Sequence, residues 1–254
     1  MSQGTIGRSR VAVVTGGASG IGEAICRHLA AAGRAVAVLD LDASNTTRVT
    51  EALRAGGADA VGIAVDVADR AAVDDAFAKV RAELGPTEIL VTSAGMVAFD
   101  DFADITPERW ARVIDVNLTG TFHCCQAALP DMVAGGWGRI VTISSSSAQR
   151  GSPLNAHYAA AKGGVVVLTK SLARAYAAHG ITVNTIPPSG IETPMQHSSQ
   201  EIGDLPSNEV MAATIPVGHL GTPDDIAAAA TFLASDAAGF ITGQVLGVNG
   251  GSVL

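Results

Sequence analysis

Short apolar runs, rich in β-branched residues, recur along the chain and are separated by longer Ala-rich stretches. They fall at Val11–Thr15, 35–39, 60–65, 89–92, 139–143, Ile181–Ile186 and 245–248. Most are apolar nearly throughout and lack the alternation of a half-solvated strand, as expected for parallel strands covered on both faces. Seven such strands alternating with helices predict an α/β fold: a Rossmann-type, doubly wound, seven-stranded parallel sheet with helices on both faces. Thr106-Pro107 and Thr222-Pro223-Asp224 read as helix N-caps followed by proline at the first helical position. No linker, repeat or low-complexity segment divides the chain, so residues 1–254 are expected to form a single domain. Within it, residues 187–216 are rich in Pro, Ser and Gly and lack periodicity, which predicts a substrate-binding loop or lid.

Composition narrows the partners. The 45 Ala and 29 Gly among 254 residues make much of the apolar content small packing surface. Aromatics at 4% and a net charge of -8 leave little for stacking on bases or neutralising phosphates, so a nucleic-acid partner is not expected. No apolar run reaches the roughly 20 residues of a membrane span, and none is expected. The polar first ten residues lack the apolar core of a secretory leader. The three cysteines, with Cys124 and Cys125 adjacent, do not make a disulfide framework. Both features predict a cytoplasmic protein.

Gly16, Gly20 and Gly22 follow the first strand directly, with Ser19 and Ile21 among them, and an amphipathic stretch follows. Glycines let backbone amides approach a pyrophosphate, and the helix N-terminus adds unpaired donors and a positive dipole end. The Gly-x-x-x-Gly-x-Gly spacing differs from the common six-residue dinucleotide fingerprint. Twenty positions after Gly20, the second strand ends at Asp40, followed by Leu41. A carboxylate there accepts hydrogen bonds from the ribose hydroxyls and repels a 2′-phosphate, so NAD(H) is expected over NADP(H). Asp66 and Val67, where the third strand ends, are candidates for the adenine side.

Tyr158 and Lys162 stand four apart in a chain with two tyrosines and three lysines. Such a pair arises by chance in roughly 0.02 of comparable chains, and the spacing puts both on one helix face. A phenol is a poor base at neutral pH; a nearby ammonium favours phenolate and suits the group to proton transfer. Ser145, where the fifth strand ends, is positioned to donate to a substrate carbonyl.

These residues resemble the short-chain dehydrogenase/reductase family in its compact one-domain form, over essentially the whole chain. The resemblance implies that Tyr158 is the acid/base and that Ser145 orients the carbonyl. It also implies that Lys162 binds the nicotinamide ribose and lowers the Tyr pKa, and that Asn117 holds a water linking Lys162 to solvent. Cofactor contacts are implied at Ser93, Ala94 and Gly95 and at Pro188, Ser189, Gly190, Ile191 and Thr193. Two departures stand out: Ser93 replaces an Asn that ties the central strands, and Ser189 shifts the usual Gly by one. Gln149, Met96 and Met195 are candidate substrate contacts, and residues Met195, Ile202, Leu205, Val210 and Met211 suggest an apolar or amphipathic alcohol or ketone. A 3-oxoacyl thioester and a hydroxysteroid or other cyclic alcohol are both open. A homotetramer, or a homodimer, is implied, with the Ala-rich helices of Asn117 and Tyr158 pairing between subunits. No metal site is expected, since His123-Cys124-Cys125 lacks chelating spacing. The four consecutive serines lack a hydrolase elbow. The alternative reading is a non-catalytic NAD-binding regulator.

Overall fold

The computed structural model describes residues 9–254; the polar stretch 1–8, part of the segment read as lacking a leader, lies outside them. Six parallel strands form one sheet in the order β3-β2-β1-β4-β5-β6. They are β1 (Val11–Thr15), β2 (Ala35–Asp40), β3 (Ala60–Ala64), β4 (Thr87–Thr92), β5 (Gly138–Ile143) and β6 (Ile181–Ile186). Alternate side chains of β1 go to opposite cores. Val11 and Val13 pack with Phe77, Ala128 and Met132, and Ala12 and Val14 pack with Ile25, Leu29 and Ile226. Two covered faces explain why the strands read as continuous apolar runs.

One expected strand is absent as a strand. Residues 245–248 meet the sheet only through isolated parallel bridges, Thr185 to Val245 and Pro188 to Val248. The Thr185 N–H donates to Gln244 O at 2.9 Å and the Leu246 N–H donates to Thr185 O at 2.9 Å. The next donor in such a ladder would be residue 187, a proline with no N–H, so the ladder is interrupted between the two bridges and the sheet has six strands, not seven.

The helices are α1 (Gly20–Ala31), α2 (Ala43–Ala55), α3 (Arg70–Glu83), α4 (Pro107–Ile114), α5 (Gly120–Gly135), α6 (Ser147–Arg150), α7 (Ala156–Tyr176), α8 (Pro194–Glu201), α9 (Asn208–Ala212) and α10 (Pro223–Leu233). Both predicted caps form. Thr106 Oγ1 accepts from the Arg109 N–H at 3.2 Å. Thr222 and Asp225 make a reciprocal capping box. Residues 187–216 contain two short helices, α8 and α9, where no periodicity was read. Between α4 and α5 the chain makes a π-helical turn, Asp115–Thr119, a local widening that often marks functional positions and here carries Asn117. The small residues Ala161 and Ala173 of α7 are buried in the chain's own core. No helix among the described residues is long and apolar enough to cross a membrane.

Candidate active site

A cavity of about 540 Å³ opens at the carboxyl ends of the strands, spanning the point between β1 and β4 where strand order reverses. Its walls include every residue of the glycine turn proposed as a contact: Gly16, Ser19, Gly20, Ile21 and Gly22. Gly16 and Gly20 have positive φ of 63° and 50°. A Cβ on Gly22 would stand 1.9 Å from Gly16 O, so the turn closes only around bare glycine. Ser19 caps α1 with no side-chain hydrogen bond, leaving first-turn amides to a ligand on the cavity side.

Asp40 stands beside this turn. Its carboxylate accepts from the Ala18 N–H at 3.0 Å and from the Asp42 N–H at 3.1 Å, which fixes its rotamer and leaves further lone pairs. The adjacent cation, Arg48, is bound bidentately by Glu23 at 2.9 and 2.8 Å and also donates to Ala18 O. Leu41, Asp66 and Val67 complete this end of the wall, with Asp66 held by the Ala68 N–H at 2.9 Å and by Arg112 at 3.3 Å.

The replacement at Ser93 leaves the central strands joined. The Ser93 N–H donates to Thr15 O at 3.1 Å and the Ala94 N–H donates to Thr15 Oγ1 at 3.2 Å, so backbone donors tie β4 to β1 without the amide. After β6, Gly190 supplies the left-handed turn at φ 60°, and a Cβ there would meet Ile215 Cδ1 at 2.7 Å. Pro188, Ser189, Gly190, Ile191 and Thr193 all reach the wall, as do Ala94 and Gly95.

Ser145, Tyr158 and Lys162 line the same cavity. Burial raises the Tyr158 phenol above its ordinary pKa, and a hydrogen bond with Ser145 opposes that rise. Burial also pushes the Lys162 ammonium down to about 8, and Nζ donates to Ile143 O at 3.0 Å. Lys162 Nζ lies 5.7 Å from the Tyr158 ring centroid. The Ser145 Oγ accepts from the Ser147 N–H at 3.1 Å, which sets the direction of its own proton. Asn117 is buried behind the wall and is not part of it. Its Nδ2 donates to Met96 O and Val113 O, both at 2.9 Å, while Oδ1 has no partner. A Cβ on Gly95 would lie 2.8 Å from that Oδ1 and 3.4 Å from Lys162 Nζ, so the missing side chain leaves the space between them.

Gln149, expected near substrate, is exposed and absent from the wall; its neighbour Arg150 takes that place at the end of α6. Ile202 and Val210 are 75% and 55% exposed and turn away, whereas Met96, Met195, Leu205 and Met211 line the cavity. Sequence reasoning missed Asn155 and Gln196, both buried in the wall, and Val97 and Phe99 from the loop after β4. That loop is tied by Asn117 at Met96 and by His157 and Arg109 at Asp100. His157, wholly buried, donates from Nε2 to Asp100 Oδ2 at 3.1 Å, and the Asp100 N–H donates to Leu154 O at 2.7 Å. His157→Leu is expected to lower unfolding stability by about 1 kcal/mol, because Asp100 loses one donor and keeps the half-exposed Arg109; His157→Gln, which keeps a donor at similar reach, recovers most of it. Urea unfolding of the two variants is the check.

A glycine-walled Rossmann cavity facing a Ser, Tyr and Lys group defines a nicotinamide-dependent oxidoreductase. The family model described as "Enoyl-(Acyl carrier protein) reductase" matches residues 16–252. The chain is 45% identical over 246 residues to the acetoacetyl-CoA reductase of Rhizobium meliloti (strain 1021), covering 96% of this chain and 98% of that protein. It is 41% identical to the cis-4-hydroxycyclohexanecarboxylate dehydrogenase of Sinomonas cyclohexanicum, covering 95% and 96%. The crystal structure of a single-substitution variant of actinorhodin polyketide ketoreductase with NADPH superposes with a TM-score of 0.92 at 34% identity, covering 96% and 97%. The chain belongs to the short-chain dehydrogenase/reductase family, oxidoreductases acting on hydroxyl and carbonyl groups.

Proposed function

We propose that the protein is an NAD(H)-dependent oxidoreductase that interconverts a secondary alcohol and a ketone, with Tyr158 passing the proton. The observation that carries this reading is that Ser145, Tyr158 and Lys162 line the same cavity as the glycine turn, with Lys162 Nζ 5.7 Å from the Tyr158 ring centroid. A nicotinamide cofactor, when bound, supplies or accepts the hydride. Tyr158 gives its proton to the carbonyl oxygen as that oxygen gains charge, and Ser145 donates a hydrogen bond to the same atom. The elevated phenol pKa keeps Tyr158 protonated at neutral pH, the form that reduction needs; the ammonium of Lys162, held on Ile143 O, stabilises the phenolate left behind.

The preference for NAD(H) rests on Asp40 and on the engagement of Arg48 by Glu23. A 2′-phosphate would meet a fixed carboxylate and, among the described residues, find the neighbouring Arg48 already engaged by Glu23. The kcat/KM ratio of NADH to NADPH is therefore expected to be about 100 or more, and Asp40→Ala should reduce it about tenfold. Equal use of NADPH by the wild-type enzyme would refute the assignment. A subunit assembly is part of the same proposal, supported by Phe122 on α5 and Val167 on α7, which remain 43% and 63% exposed. A light-scattering mass of a single chain would contradict it.

A further inference from the structure

Beyond the reacting group, the cavity has an uneven charge. Its only carboxylates, Asp40 and Asp66, are at the nucleotide end, and the part bordered by Ser145, Met96, Phe99 and Met195 has none. In a chain of net charge -8, that is a local exception. Of the cations in the wall, Arg112 is paired with Asp66 and Lys162 is bound to Ile143 O. Arg150 is different: its guanidinium has no hydrogen bond, ion pair or ring contact among the described residues, and it stands exposed in the wall beyond Ser145. The hydroxyls of Ser147 and Ser152, in the wall on either side of it in sequence, are likewise without partners and can donate. Arg150 closes the single turn of α6, and Gly151 at φ 74° then turns the chain away from it. Arg150 thus stands in the wall at the far end of the single helical turn that follows Ser145.

We propose that Arg150 receives a carboxylate carried by the substrate, at the far end of an apolar body from the hydroxyl or keto carbon. The substrate class is then a hydroxy or keto acid with an aliphatic or alicyclic middle. Met96, Phe99, Met195, Leu205 and Met211 cover that middle, Ser145 and Tyr158 take the carbonyl end, and the guanidinium holds the acid end through paired N–H donors. Neutral ketones of the same shape lose this contact and bind less tightly. The proposal rests on the functional reading above for the position of the reacting carbon, but its recognition step involves no chemistry.

It can therefore be tested by binding alone. Cyclohexanecarboxylate and cyclohexanecarboxamide, neither of which is a ketone, are titrated into the enzyme–NADH complex and followed by nicotinamide fluorescence and by calorimetry. The wild type is expected to bind the carboxylate roughly five- to tenfold more tightly than the amide, an advantage that shrinks with added salt. Arg150→Gln should weaken the carboxylate by that factor and leave the amide unmoved; Arg150→Lys should keep part of the preference. Equal affinity for the two ligands in the wild type, no binding of the carboxylate, or a carboxylate affinity unchanged in Arg150→Gln would each overturn the proposal. Free coenzyme A serves as a third ligand: an Arg150-dependent affinity for it without one for the carboxylate would assign the guanidinium to a thioester's phosphates and overturn the carboxylate. Because nothing is turned over, these results are separate from the Tyr158 kinetics that test the functional reading.

Discussion

Tyr158→Phe is expected to lower kcat/KM for carbonyl reduction by about 1000-fold, with NADH affinity changed by less than about threefold. The substitution keeps the ring, and so the packing of α7 against the cavity, and removes only the phenol oxygen, which lines the cavity with Ser145. The remaining hydroxyl, Ser145, can polarise a carbonyl but is too weak an acid to deliver a proton on its own. The loss should fall chiefly on kcat, because the proton moves as charge develops on the carbonyl oxygen. Steady-state kinetics, with NADH binding followed separately by fluorescence, decide the matter; a variant retaining a tenth of the wild-type rate would remove Tyr158 from the proton step.

The second large effect is structural. Gly22→Ala places a methyl carbon 1.9 Å from Gly16 O and 2.7 Å from Gly16 C, both backbone atoms of the turn that the cofactor must approach. No rotamer relieves such a clash, so the β1–α1 turn must open. We expect a loss of about 2–4 kcal/mol of stability and at least a tenfold loss of cofactor affinity, measured by urea unfolding and NADH fluorescence. Gly33→Ala is the matched control. Gly33 also has positive φ, 75°, but its Cβ would meet nothing within 4 Å, so only the left-handed strain of about 1 kcal/mol remains and cofactor affinity holds. Similar losses at both positions would mean that generic backbone strain, not closure of the turn, governs binding.

The sheet and the grouping of Tyr158 with Lys162 were legible because each leaves a local signature. Strands buried on both faces write uninterrupted apolar runs, and the Tyr158–Lys162 spacing marks one helix face whatever the fold. The run at 245–248 misled because strand membership also depends on the neighbour, and the neighbour's Pro187 withholds the donor that pairing needs. Site residues fixed by side-chain direction were harder to read. Gln149 and Arg150 are adjacent, and only the orientation of the single turn of α6 decides that the second enters the wall. Ile202 and Val210 looked equivalent to Leu205 and Met211 until α8 and α9 turned two of the four outward. His157 and Asp100 are 57 residues apart, and no pattern in the chain announces their hydrogen bond. Ser93 replaces an amide expected to tie the central strands, and two backbone donors onto Thr15 tie them instead.

On the proposed reading, this cavity transfers hydride to a carbonyl while Tyr158 supplies the proton. The most direct test supplies NADH deuterated at the nicotinamide C4 with a panel of cyclic and acyclic ketones, acids and neutral isosteres included, and reads the products by mass spectrometry and NMR. One deuterium is expected on the carbinol carbon in wild-type protein, delivered from one face of the nicotinamide only, with a near-total loss of labelled product in Tyr158→Phe. No labelled alcohol from any ketone, by a protein that binds NADH, would contradict hydride transfer and leave a cofactor-binding regulator in its place.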